Sequence, residues 1–153
     1  MKITGSRQIV IDSDPTDLWW MVADIENMGR WSPITTVARW VAPDDSPRPG
    51  ARFQGTNAMP IVRRWTSPAT VIRAVEGVIF EFAVGKNPAD PNTIWTYEFT
   101  PHRDGSTQVT ERWDMRREPW IVLAYYRLVG QRRRVESGVE ATLRALKEAA
   151  ETS

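Results

Sequence analysis

The run from Glu118 to Glu151 constrains the fold of this chain more than any other stretch. It has no proline after Pro119 and is rich in good helix formers. Val135, Val139, Thr142, Leu143, Leu146 and Ala150 recur at spacings of three and four, so they form one apolar stripe. Arg134, Glu140, Arg144, Lys147 and Glu148 fall mostly off that stripe. A helix of about 30 residues spans about 45 Å, more than a small domain needs as a cover. Other elements must therefore wrap around it.

The preceding segments read mainly as strands. Arg7–Asp12 alternates and is β-branched, which predicts a first strand. Asp14-Pro15 then starts a helix: Asp14 caps free N–H groups, Pro15 suits the first helical position, and Asp17 meets the positive end of the dipole. This helix runs to about Ala23 and buries Leu18, Trp19 and Val22. Asp24 is placed to cap a short turn, Ile25–Met28, which Gly29 breaks. Trp31-Ser32-Pro33 leads into a strand near Thr35–Val41. After the turn-rich loop Ala42–Gly50, strands are expected near Arg52–Met59, Val62–Ala74, Val78–Val84, Thr93–Pro101 and Thr107–Met115. Glu76-Gly77, the loop Gly85–Asn92 and Asp104-Gly105 separate them. Pro68, inside one of these segments, points to an edge strand or a bulge. The resulting order is strand, two short helices, a run of antiparallel strands and one long helix, an α+β arrangement.

Composition closes several routes. A chain of 153 residues is expected to form a single domain, 1–153. A net charge of +1 sets up no global field toward nucleic acid or anionic lipid. The absence of cysteine removes disulfides, thiolate nucleophiles and thiolate metal sites. The single histidine, His102, falls in a turn, which argues against a Ser-His-Asp triad and against zinc. No nucleotide-binding glycine loop occurs, so no cofactor is implied. Without a charged-then-apolar leader or an apolar run of membrane length, the chain reads as cytoplasmic, with no stable membrane insertion. The triplet Arg132-Arg133-Arg134 reads as a solvated face, or as a contact for an anionic ligand group at a cavity mouth. The eight tryptophans stand out, because surplus Trp gathers in cores, pockets or interfaces.

Several stretches carry a family resemblance: IVIDSDPTDLWWMVADIENMGRWSP, GARFQGTN, the WTYEF and VTERWDM strands, and GVEATLRALK in the last helix. Together they resemble the START-like, or SRPBCC, superfamily, and within it the actinobacterial polyketide cyclase/dehydrase and lipid transport group. The resemblance covers nearly the whole chain and implies a helix-grip fold. In that fold a seven-stranded curved antiparallel sheet wraps a long C-terminal helix and encloses a hydrophobic cavity. Members include sterol and lipid carriers, plant hormone receptors, aromatases and cyclases. They share no catalytic motif, so the resemblance assigns no catalytic residue.

Strand alternation then nominates the cavity wall, since side chains two apart share a face. Trp95, Tyr97 and Phe99 form one row, and Phe80 and Phe82 another. Phe53, Gly55, Asn57 and Met59 form a third; Val109, Glu111, Trp113 and Met115 form a fourth. If these rows face the helix, Asn57, Phe80, Phe82, Trp95, Tyr97, Glu111 and Trp113 are the candidate ligand-binding residues, and Gly55 gives the pocket room. Asn57 and Glu111 are the polar intruders. Asn57 bonds to backbone or water, or else orients a ligand oxygen. Glu111 is paired with an arginine such as Arg64 or Arg73, or faces a ligand, or acts as a general acid or base.

Two function classes follow. One is a binder of a small hydrophobic molecule (a lipid, a polyketide or an aromatic metabolite) in a cavity between sheet and helix. The other is an enzyme of the cyclase or aromatase type using Glu111 to move protons. An unpaired Glu111 facing open volume would separate the two.

Overall fold

In the computed structural model, residues 3–59, 64–117 and 131–152 are described. Strand β1 (Ile3–Ile11) is followed by helix α1 (Pro15–Ala23), a 3₁₀ turn at Ile25–Asn27 and helix α2 (Met28–Trp31). Strands β2 (Thr35–Trp40), β3 (Arg52–Ala58), β4 (Arg64–Val75), β5 (Ile79–Val84), β6 (Thr93–Pro101) and β7 (Thr107–Met115) come next, then helix α3 (Gln131–Thr152). The strands form one seven-stranded sheet in the order β1-β7-β6-β5-β4-β3-β2, antiparallel at every pairing. This is the helix-grip architecture.

Local chemistry explains the helical turns. The Asp14 carboxylate accepts from Thr16 N at 2.8 Å, and Pro15 opens α1. Asp24 likewise accepts from Glu26 N and caps the 3₁₀ turn. Gly29 does not break the second turn as expected but lies inside α2. A Cβ there would stand 2.2 Å from the Thr36 carbonyl oxygen, so the missing side chain lets α2 press against β2.

Pro68 also corrects an expectation. It sits on neither an edge strand nor a bulge, since β4 runs between β3 and β5 and the irregularity falls at Val71/Arg73. The pairing of β4 with β5 ends at Ala69 and Val84, and the Pro68 carbonyl accepts from Gly85 N just beyond. A donor at Pro68 would point past the end of β5, so its loss removes no ladder bond.

Helix α3 buries Val135, Val139, Thr142, Leu143 and Leu146 as one stripe. Its outer side chains clip it to β1. Arg7 meets Glu136 at 2.9 Å and Glu140 at 3.4 Å, and Lys147 Nζ donates to the Val10 carbonyl at 2.9 Å. The expected helical residues 118–130, and the side chains of Arg132, Arg133 and Arg134, lie outside the described residues. Beneath α3 and α1, the inward rows form the core around Phe80, Phe99, Val109 and Ile11.

Candidate functional site

Between the sheet and α3 the inward rows leave a cavity of about 180 Å³. Its sheet wall includes Phe53, Phe82, Trp95 and Trp65; Val135, Gly138 and Val139 line it from α3; Met28 and Pro33 line it from α2 and the turn that follows. Among the described lining residues only Glu111 and Tyr97 carry titratable side chains.

Those two meet by register. Tyr97 on β6 and Glu111 on β7 are direct cross-strand partners, so their side chains leave the sheet side by side. The Tyr97 hydroxyl donates to Glu111 Oε1 at 2.7 Å. Glu111 Oε2 is buried and has no hydrogen-bond partner among the described residues. Burial pushes the Glu111 carboxyl up to about 8, outweighing the Tyr97 hydrogen bond that pulls the other way. Burial, reinforced by the neighbouring carboxyl, also raises the Tyr97 phenol well above its usual range. Both shifts favour the uncharged form of the pair. Protonated, the carboxyl carries one O–H donor in the cavity wall, and Oε2 has no partner among the described residues.

Neither arginine named from the sequence pairs with Glu111. Arg73 forms a two-pronged pair with Glu81, both contacts at 3.0 Å, on the outer face, and Arg64 is exposed. Arg7, directly opposite Glu111 on β1, is engaged by Glu136 and Glu140 instead. Glu111 thus lines the cavity with no arginine paired to it among the described residues.

A second polar group lies on β2, β3 and β4. Asn57 Oδ1 accepts from the Thr35 hydroxyl at 2.8 Å, and Asn57 Nδ2 donates to Ser67 Oγ at 3.2 Å. All three residues line the cavity. Gly55 beside them opens the wall, because a Cβ there would only touch Thr35 Cγ2 at 3.6 Å and Asn57 Oδ1 at 3.8 Å.

Of the residues nominated from alternation, Asn57, Phe82, Trp95, Tyr97 and Glu111 reach the cavity, whereas Phe80 and Trp113 do not. Phe80 is covered by Trp19 of α1, edge to face at 6.2 Å, at the end of the core that α1 closes. Trp113 lies over Gly5, where a Cβ would stand 2.3 Å from its ring, so its indole is spent on the β1–β7 seam. His102 is exposed in its turn. Trp65, Ser67 and Ala69 were missed, although they pair with Asn57, Gly55 and Phe53 and share their face. Carrying the alternation of β3 across to β4 would have found them. Among the described residues no three His, Asp or Glu side chains gather as metal ligands, and no helix is long and apolar enough to cross a membrane.

Comparison with known proteins agrees with this architecture. The chain is similar to the Polyketide_cyc-like protein Cgl2372 from Corynebacterium glutamicum, with 28% identity, 99% of this chain and 93% of that one covered, and a TM-score of 0.61. It is also similar to protein Ms6760 from Mycobacterium smegmatis, with 20% identity, 97% and 91% coverage and a TM-score of 0.66. The di-domain ARO/CYC StfQ from the steffimycin biosynthetic pathway shares the fold at 14% identity and a TM-score of 0.73, covering 99% of this chain and 51% of that one. No curated protein matches the sequence. The family model described as polyketide cyclase / dehydrase and lipid transport matches residues 2–151, and the chain belongs to that family.

Proposed function

We propose that the chain binds a compact, uncharged, largely apolar molecule between the sheet and α3, with an oxygen of that molecule held at Glu111. One observation carries this reading: a carboxyl buried in an apolar cavity, fixed through Oε1 by Tyr97 and unpartnered at Oε2. A buried polar atom without a partner costs free energy that a ligand oxygen recovers. A cavity of about 180 Å³ falls below the ~300–1,000 Å³ usual for drug-sized ligands. That favours a small ring compound over a two-chain lipid. Native mass spectrometry of freshly purified protein is expected to show a bound neutral molecule. Displacement of the neutral fluorophore N-phenyl-1-naphthylamine by small aromatic compounds supplies the affinity scale. No retained mass, together with no binding of any neutral aromatic probe at micromolar levels, would overturn the reading.

A second reading, general acid–base catalysis of the cyclase or aromatase kind, is favoured by the same free Oε2. A carboxyl with its pKa near 8 can protonate a ligand carbonyl and, once ionised, take a proton from an adjacent carbon. Glu111→Gln keeps shape and hydrogen bonding but removes the proton. It would then abolish turnover while leaving binding within a few fold.

A further inference from the structure

The cavity carries polar groups at two places, and their uncommitted hydrogens define what each can receive. Asn57 Nδ2 uses one hydrogen on Ser67 Oγ and keeps a second. Ser67 Oγ accepts that bond, and its own hydroxyl hydrogen is given to no other described residue. Thr35 gives its hydroxyl hydrogen to Asn57 Oδ1, leaving Nδ2 as the donating end of the amide. This cluster therefore offers two donors at one side of the cavity. Glu111, which also lines the cavity, offers one more when it holds its proton. Between them lie the apolar faces of Phe82, Trp95 and Ala69. No Lys, Arg or His lines the cavity among the described residues, so no described side chain compensates a ligand anion.

We propose that Asn57, Ser67 and Thr35 form a second polar anchor, and that with Glu111 they select an uncharged ring compound bearing acceptor oxygens on two sides, of the quinone or cyclic diketone type. The inference rests on the binding reading above and adds the anchor and the charge rule. It distinguishes ligands by acceptor oxygens rather than by size, since the ring itself is held by apolar contact in every case. A carboxylate of the same ring size is rejected, because it loses its water and meets only donors too few to replace it, beside a carboxyl that must stay neutral.

The test uses displacement of N-phenyl-1-naphthylamine by naphthalene, 1,4-naphthoquinone and 1-naphthoate. The protein has no cysteine, so the quinone meets no thiol to alkylate. The expected order is quinone tightest, naphthalene about tenfold weaker, as two modest hydrogen bonds imply, and naphthoate weakest. Asn57→Leu and, independently, Ser67→Ala should each reduce the quinone's advantage over naphthalene several-fold. The Ser67 variant keeps the test decisive if the Asn57 variant folds poorly. Equal binding of quinone and naphthalene, or an unchanged ratio in the Ser67 variant, would overturn the second anchor while leaving the cavity reading intact. Failure of all three compounds to bind would overturn both.

Discussion

Arg7 and Glu111 stand directly opposite each other on β1 and β7, yet they do not pair: the guanidinium goes to Glu136 and Glu140 on α3. The two helix carboxylates hold this guanidinium off the cavity carboxyl. Replacing both by glutamine frees Arg7 to turn toward Glu111. The Glu111 titration should then drop from about 8 toward the ordinary carboxylate range. Nuclear magnetic resonance of protein labelled at glutamate side chains reads this directly. An unchanged midpoint would show that Arg7 cannot reach.

Glu111 also ties stability to pH. Its folded value of about 8 lies above its ordinary value of 4.5, so the folded state holds the proton more tightly. The stability it supports is full below about pH 4.5, is lost as pH rises toward 8, and changes no further above that. Glu111→Gln removes this dependence. The variant should gain on the parent by an amount on the order of a few kcal/mol between the two pH limits. Urea unfolding at several pH values measures it. Parallel pH profiles for the two proteins would contradict the assignment.

The grip of the helix rests on its buried stripe. Leu146 is 1% exposed, and Leu146→Ala should cost roughly 2–5 kcal/mol through lost burial and the void left behind. A loss below about 1 kcal/mol in denaturant unfolding would mean that α3 is peripheral to the fold.

Gly55 and Gly5 should behave oppositely. Gly55 has room for a larger side chain, so Gly55→Val should leave the melting temperature near that of the parent while sharply weakening probe binding. Gly5 has none, because the Trp113 ring fills the space. Gly5→Ala should destabilise by about 1–3 kcal/mol while leaving probe binding by the folded fraction intact.

Much of this was legible in the residues. Asp14-Pro15 marked the start of α1 correctly, and period-two alternation put Glu111 and Asn57 on the inward face among apolar neighbours. What alternation could not supply was position along the cavity. Phe80 and Phe82 share a face, but only the fold shows that α1 covers one while the other lines the cavity. Strand pairing was equally hidden: the β1–β7 register, which sets Arg7 beside Glu111, joins residues about a hundred apart in sequence. Arg73, named from sequence as a partner, lies on the outer face with Glu81. Strand β4 was expected near Val62–Ala74, but the inward placing of Trp65 and Ser67 follows only from their pairing with Asn57 and Gly55 on β3.

The central claim is that a neutral ligand is held by a protonated Glu111. Calorimetric titration with 1-tetralone, an uncharged ring ketone, tests it most directly when run across pH on the parent and on Glu111→Gln. For the parent, affinity should be constant up to neutral pH and fall as Glu111 ionises through about 8. For the variant it should be independent of pH over the same range. A parent affinity that does not change through pH 8, or a variant that shows the same fall, would contradict the claim.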